Sequence, residues 1–394
     1  MKTLGIHHIS ATVGHAQENM DFYASVLGLR FIKKTVNFDD RKMYHLYFGN
    51  HEAEVGTILT FFSYIDAKSG LIGEGQTTTI ILSIPKGSMS YWEKRFDQFG
   101  VFHFKTTRFN DKFLTIRDPH GIQLEFVESD IELENRYEFN GVTKEYAIKG
   151  IYGVVMQSLD YTNTFSFLEN DLGFTNEGKD GYYQRFTTQS TFGHTVDVKF
   201  MKTNKGSLGV GTIHHIAFNV KEEELITFKE KLSKYHPTEI KNRKYFKSIY
   251  FREPGGAIIE LATNSPGFTA DEPLEDLGTN FRLPSHYESY RNEIENDLMP
   301  VFVQKLDALK NYPYTDKKTY DSYINHQNLL KRVNEFAKIS KERELTSEEV
   351  QERNEVRKAY VKSVTSGLRN MIEKIDFVDE NDNREKAFKI KGDN

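Results

Sequence analysis

The chain has 394 residues, 38% of them hydrophobic and 28% charged, enough for two or three domains around a sizeable buried core. A formal net charge of −5 argues against a nucleic-acid partner, and with no apolar run of about 18 residues neither a membrane span nor a membrane partner is expected, so the default location is the cytoplasm. Because cysteine is absent, disulfides, thiolate ligands and a cysteine nucleophile are excluded, and any metal must be held by His and carboxylate.

The first element, "GIHHISATV" from Gly5, is a strand-like run followed by an amphipathic helix that ends at Leu27-Gly28, with further strand-like segments beyond. Shifted by 145, Gly150 opens "GIYGVVMQS" and Leu172-Gly173 ends its helix. A second pair is offset by 135: "IRDPHGIQLEFVE" at 116–128 matches "FREPGGAIIELAT" at 251–263, so that Pro119 falls on Pro254, Gly121 on Gly256 and Glu125 on Glu260. Residues 5–263 therefore resolve into four βαβββ units, over roughly 5–64, 77–129, 149–203 and 211–263. Beyond 285 the texture changes. "YINHQNLLKRVNEFAKI", with Leu330, Val333, Phe336 and Ala337, and "SEEVQERNEVRKAYVKSVTSGLRNMIEKI", with Val356 to Ile375, predict two amphipathic helices. Thr346 and Glu349 have the spacing of a capping box, and the charged last dozen residues read as a frayed end.

Four of the 13 histidines form two doublets, His7-His8 and His214-His215. Strand alternation puts His8 with Ser10 and Thr12 on a polar face and His7 with Ile9, Ala11 and Val13 on the helix side. In the fourth unit it puts His215 with Ala217 and Asn219, opposite His214, Ile216 and Phe218. The copies break the pattern: His8 corresponds to Gly153, His7 to Tyr152, and His215 to Ile80, while unit 2 keeps Glu125. Only the fourth unit couples a first-strand His to the last-strand Glu260. Taken singly these are more simply interior histidines and an exposed Glu. Their coincidence across repeats favours a site of two imidazoles and one carboxylate, the facial triad of non-haem Fe(II) oxygenases. Of the other histidines, His45, His51, His103, His194 and His286 read as surface or core residues and His120 as solvated. Asp39-Asp40 in "NFDDRK" reads as a turn.

The motifs "GIHHIS", "FYASVLGLRFIKKTVNFDD", "MYHLYFGN", "GTILTFF", "GTIHHIAF", "KSIYFREPGGAIIELAT" and "SPGFTADEP", spread over about 5–285, resemble the vicinal oxygen chelate superfamily of glyoxalases, extradiol dioxygenases and bleomycin-resistance proteins. Within it the chain is most similar to hydroquinone-type ring-cleaving dioxygenases. The resemblance implies an α+β fold in which four βαβββ modules form two paired-module open barrels. It implies an N-terminal module pair at 1–140, a second pair at 141–284, and a helical C-terminal extension at 285–394. It makes His8, His215 and Glu260 the metal ligands and places the surrounding functional groups on His7, Ser10, His214, Arg243 and Tyr250, with Ser10 where the family often has Thr. A cation and a phenol at Arg243 and Tyr250 would hold an ionised substrate oxygen and exchange a proton with it.

The activity implied is a non-haem Fe(II) extradiol-type dioxygenase that opens a hydroquinone or catechol with O2 and incorporates both oxygen atoms, in quinone detoxification or aromatic catabolism. The ligand set also accepts Mn(II). Two rivals share the fold. A glyoxalase-type isomerase or thiol transferase would carry a fourth, carboxylate ligand on the last strand of the partner unit, and "GTILTFF" offers none. A non-catalytic binder of aromatic drugs or quinones would not need His8, His215 and Glu260 together. The tail stays open among homo-oligomer contact, lid and partner surface.

Overall fold

The computed structural model describes residues 2–64, 67–305, 329, 332–333, 335–372, 376–378 and 384–386, with side chains up to residue 360. It divides into two compact units, 1–309 and 310–394.

Within the first unit, each of the four predicted modules forms a strand, a helix and three further strands. Module 1 comprises β1 (Ile6–Val13), α1 (Ala16–Met20) continued by a π-helical stretch over Asp21–Val26, β2 (Arg30–Val36), β3 (Tyr44–Gly49) and β4 (Ile58–Ser63). Module 2 has β5 (Gln76–Ile84), α2 (Met89–Gln98), β6 (His103–Arg108), β7 (Asp111–Arg117) and β8 (Gln123–Glu128). Module 3 has β9 (Gly150–Gln157), α3 (Tyr161–Ser166) with its own π-helical continuation, β10 (Thr175–Asp180), β11 (Tyr183–Thr187) and β12 (Thr195–Lys199). Module 4 has β13 (Thr212–Asn219), α4 (Leu225–Lys231), β14 (Lys241–Asn242), β15 (Lys247–Arg252) and β16 (Ile258–Ala262).

The turns that deliver the last strands of modules 2 and 4 are built alike. Gly121 and Gly256 both have φ of +101°, a conformation closed to residues with a Cβ. Each turn is closed by a buried carboxylate: Asp118 accepts from the backbone N–H of His120 and Ile122, and Glu253 from those of Gly255 and Ala257.

Strand pairing joins module 1 to module 4 and module 2 to module 3. One eight-stranded sheet has the order β14-β15-β16-β13-β1-β4-β3-β2, and the other β10-β11-β12-β9-β5-β8-β7-β6. Each chain-order half, 1–140 and 141–284, thus contributes one module to each sheet. Both central seams, β1 with β13 and β5 with β9, are antiparallel. A common apolar core receives Ile9, Ala11 and Val13 of β1, Ile216 and Phe218 of β13, and Ile80 and Leu82 of β5. The helices pack on this face, leaving the opposite, concave face of each sheet free for polar groups.

In the second unit, residues 335–342 are helical and a 26-residue helix covers Ser347–Ile372. The expected capping box forms: Thr346 Oγ1 accepts from Glu349 N at 3.3 Å, while the Glu349 carboxylate accepts from Thr346 N at 2.9 Å. Leu330 and Ile375 of the two predicted helices, the side chains of residues 361–372, and residues 387–394 of the predicted frayed end lie outside what is described. Asp376–Val378 pairs with Arg384–Lys386 in an antiparallel register. Among the described residues no helix is long and apolar enough to cross a membrane.

Candidate metal centre

The seam of the first sheet puts the three predicted ligands side by side. His8 on β1 lies opposite Ala217 on β13, and Ala217 lies opposite Glu260 on β16, with His215 two residues away on β13. An alanine between the two ligand strands leaves the space above it open. His8 Nε2 is 3.1 Å and His215 Nε2 2.9 Å from Glu260 Oε2, and the two nitrogens are 3.4 Å apart. All three side chains are buried.

Both doublets sit on β-bulges. The β1–β13 register passes from Ile6↔Phe218 to His8↔Ala217, leaving His7 as an extra residue, and from Ser10↔His215 to Ala11↔Ile213, leaving His214 as another. Strict alternation, which sends His7 and His214 to the helix side, fails at those two residues. Each instead turns its ring onto its neighbour: His7 Nδ1 is 2.9 Å from His8 Nδ1, and His214 Nδ1 is 2.8 Å from His215 Nδ1.

These contacts set the protons. The carbonyl of Thr263 can only accept, so His7 Nε2–H donates to it at 3.0 Å, and His7 Nδ1 is left to accept from His8 Nδ1–H. His8 Nε2 then presents a lone pair to the site, and His214 meets His215 through the same Nδ1–Nδ1 contact. Burial, then the neighbouring imidazole, pushes His7 and His214 down to about 3, so both are neutral acceptors near pH 7.

Two imidazole nitrogens and a carboxylate therefore converge on one point, and neither Glu260 oxygen has a hydrogen bond of ordinary geometry. Those orphaned acceptors fit a divalent cation. Replacing His7 with Leu is expected to weaken metal affinity about ten- to hundredfold while keeping all three ligands; unchanged affinity in a chelator competition would refute the orienting role.

The other sheet is an internal control, and it corrects one correspondence. The pairing Ala217↔Glu260 matches Ile81↔Glu125, so the first strands register at an offset of 136 while the last strands keep 135. The counterpart of His215 is therefore Thr79 rather than Ile80; that of His8 remains Gly153, opposite Ile81. At that place Arg108 contacts Glu125 at 2.7 Å and Asp197 at 2.6 Å, and Arg185 closes the network on Asp197 at 2.7 Å. A guanidinium sits against the carboxylate that corresponds to Glu260.

The groups around the first site form the wall of a cavity of about 320 Å³. Arg243 Nε donates to Tyr250 Oη at 3.3 Å, and Tyr250 lies opposite Glu260 with its ring edge-on to His215. Arg243 also bonds the Asp39 carboxylate at 3.2 Å, a tie across the sheet that a turn assignment for Asp39 did not reveal. Burial, then Glu260, raises Tyr250 well above an ordinary phenol, so it is a neutral hydroxyl. Ser10 lines the cavity with its hydroxyl 2.7 Å from that of Thr60.

The "SPGFTADEP" segment acts from behind. Buried Lys33 holds Asp271 at 2.7 Å, Asp271 accepts from Tyr245 Oη at 3.1 Å, and neighbouring Phe246 rests on His7 with ring centroids 5.1 Å apart.

His45 is neither surface nor simple core: it lines the cavity. Its signal was the alternation of "YHLYF", in which Tyr44, Leu46 and Phe48 enter the core and leave His45 and Tyr47 on the cavity face. His120 is likewise not solvated, since its ring is buried and accepts from His15 N at 3.1 Å.

Residues 5–126 match the family model described as Glyoxalase/Bleomycin resistance protein/Dioxygenase superfamily, and residues 328–391 match a separate model described as a bacterial protein of unknown function, DUF896. Over 309 residues the chain is 43% identical to the Bacillus subtilis protein MhqO, assigned as a ring-cleaving dioxygenase, a match covering 78% of this chain and 99% of MhqO. It is 32% identical over 307 residues to the chlorohydroquinone/hydroquinone 1,2-dioxygenase of Sphingobium indicum, covering 74% of this chain and 94% of that enzyme. A crystal structure of a Bacillus subtilis protein assigned as a dioxygenase superposes with a TM-score of 0.76 at 43% identity, covering 77% of this chain and 99% of the other.

Proposed function

Since this chain belongs to the glyoxalase/bleomycin resistance protein/dioxygenase superfamily, we propose that it is a metal-dependent dioxygenase that opens the ring of hydroquinone-type aromatics with O2. The observation that carries the reading is the convergence of His8, His215 and Glu260, oriented from behind by His7 and His214, on an aromatic-walled cavity. Held by His8, His215 and Glu260, Fe(II), or Mn(II) in its place, would supply the exchange of electrons between the ring and O2.

The chain's own residues supply binding, orientation and proton handling. Phe38, Phe62 and Phe246 line the cavity and give it apolar surface for a flat ring. Burial lowers the proton affinity of Arg243, but Tyr250, Asp39 and Glu260 outweigh it, so the guanidinium stays charged. It stands where an ionised ring oxygen needs a counter-charge. Tyr250, neutral and hydrogen-bonded to Arg243, can donate its proton to oxygen that gains charge as the ring bond breaks. Both atoms of O2 end in the open-chain acid, so no second reductant is required.

Glyoxalase chemistry has weaker support. In the second sheet Asp197 on β12 is the acidic neighbour of the pseudo-site, and strand register puts Thr60 of β4 at the matching place, engaged with Ser10 and His45.

The test is O2 uptake by anaerobically Fe(II)-loaded protein offered hydroquinones and catechols. Uptake with one O2 consumed per ring opened is expected. Tyr250→Phe should lower kcat by about a hundredfold with metal content unchanged. A metal-loaded protein that takes up no O2 with any of these rings would defeat the proposal.

A further inference from the structure

Along the cavity wall, beginning beside the ligands at Ser10, which pairs with His215, four polar side chains form an unbranched chain. Tyr47 Oη is 2.9 Å from His45 Nδ1, His45 Nε2 is 2.9 Å from Thr60 Oγ1, and Thr60 Oγ1 is 2.7 Å from Ser10 Oγ. Both ends, Tyr47 and Ser10, line the cavity, and all four residues are buried. The His45 ring lies between Tyr47 and Phe62, with centroids 4.2 and 4.4 Å away, so it is held against flipping.

A proton count shows what this chain can offer. Three hydroxyls and one neutral imidazole carry four protons between them, and the three internal hydrogen bonds use three. One proton remains to point into the cavity. If Tyr47 donates to His45 Nδ1, then Nε2–H donates to Thr60, Thr60 to Ser10, and the free proton is on Ser10. In the other tautomer every bond reverses and the free proton is on Tyr47. The imidazole is neutral: burial first, then the proximity of His8, His215 and Arg243, holds His45 well below its ordinary value.

Resting on the dioxygenase reading of this cavity, we propose that the tautomer of His45 makes the pocket a filter for the redox state of its ligand, accepting a dihydroxy ring and rejecting the corresponding quinone. At any moment only one of the two ends of this chain can donate. A hydroquinone oxygen can donate or accept, so such a ring satisfies both ends in either tautomer. A quinone has two acceptors and no donor, so a quinone placed against both Ser10 and Tyr47 sets one carbonyl against an end that cannot donate to it. An unpaired buried acceptor of this kind weakens binding about ten- to hundredfold. His45 acts through Ser10 and Tyr47 and is a positioning residue. Tautomer exchange moves one proton along each link and changes no net charge.

Cutting the chain gives a sign that structural damage does not. In His45→Phe, Tyr47 regains its own free proton, while Thr60 and Ser10 share one bond and keep a second free proton. Both ends can then donate, and the quinone should bind more tightly. Thr60→Val cuts the chain at its middle with the same outcome and with little change of shape. The measurement is anaerobic calorimetry with hydroquinone and 1,4-benzoquinone on the redox-inert Zn(II)-loaded full chain, whose lack of cysteine avoids thiol addition to the quinone. The wild type should prefer hydroquinone about ten- to hundredfold, and both variants should bring the ratio near one through tighter quinone binding. An unchanged ratio, equal weakening of both ligands, or a wild type that does not discriminate overturns the proposal. O2 uptake by the Fe(II) form reports separately on the dioxygenase reading, because the binding ratio requires no turnover.

Discussion

Glu260→Gln is expected to lower metal affinity by well over about a hundredfold, beyond the loss typical of an outer hydrogen-bond partner, and to abolish O2 uptake, while leaving the fold at least as stable without metal. In the wild type, Glu260 Oε2 faces His8 Nε2 at 3.1 Å and His215 Nε2 at 2.9 Å. Glutamine has the same shape but carries two N–H donors, and it can satisfy both imidazoles at once. The substitution thus removes the negative charge a divalent cation needs and fills the nitrogen lone pairs it would use. Added Fe(II) or Mn(II) should raise the melting temperature of the wild type, since a ligand bound only to the native state stabilises it by mass action. It should leave Glu260→Gln unmoved. A variant that keeps stoichiometric metal and O2 uptake would remove Glu260 from the ligand set.

The residues that converge here were legible in sequence because the chain repeats itself and breaks the repeat at few places. Alternation along "GIHHIS" and "TIHHIAF" separated His8 and His215 from the apolar positions, and the copies at Gly153 and Glu125 singled out the first and fourth modules. Those modules do share a sheet. What alternation could not carry was the backbone itself. A bulge alters no residue, so His7 and His214 kept the parity of a regular strand on paper while the register skips both in the fold. The slip that replaces Ile80 by Thr79 has the same origin: a one-residue difference in the connection between first and last strands is invisible when each motif is aligned separately. Asp39 and His45 were missed for another reason. Asp39 does form a turn, its backbone N–H bonded to Asn37 Oδ1 at 2.7 Å, and only the fold brings Arg243 from 204 positions away to the same carboxylate.

The pseudo-site of the second sheet gives the opposite prediction for an equivalent position. Arg108→Met should destabilise the first unit by about 3–5 kcal/mol, the range for removing one partner of a buried ion pair, while a protein that has folded keeps its metal and its activity. Arg108 lies 135 positions before Arg243, and the two have parted in role: Arg243 faces the cavity, whereas Arg108 is buried between Glu125 and Asp197 and over the ring of Phe113 at 3.9 Å. Without it two acidic side chains lie buried together, and Arg185 satisfies only Asp197. Burial already raises Glu125, and Arg108 is the main influence lowering it again. In the variant that carboxyl is expected to take up a proton, so the loss of stability should grow as pH rises from about 5 to 8. The double variant Arg108→Met, Glu125→Leu should recover much of the loss, because it removes the stranded charge along with its partner. Equilibrium unfolding of these two variants, of Glu125→Leu alone and of the wild type closes the cycle. Equal stability of the Arg108→Met variant and the wild type would mean that the guanidinium is not what stabilises that sheet at the place where the other sheet brings His8, His215 and Glu260 together.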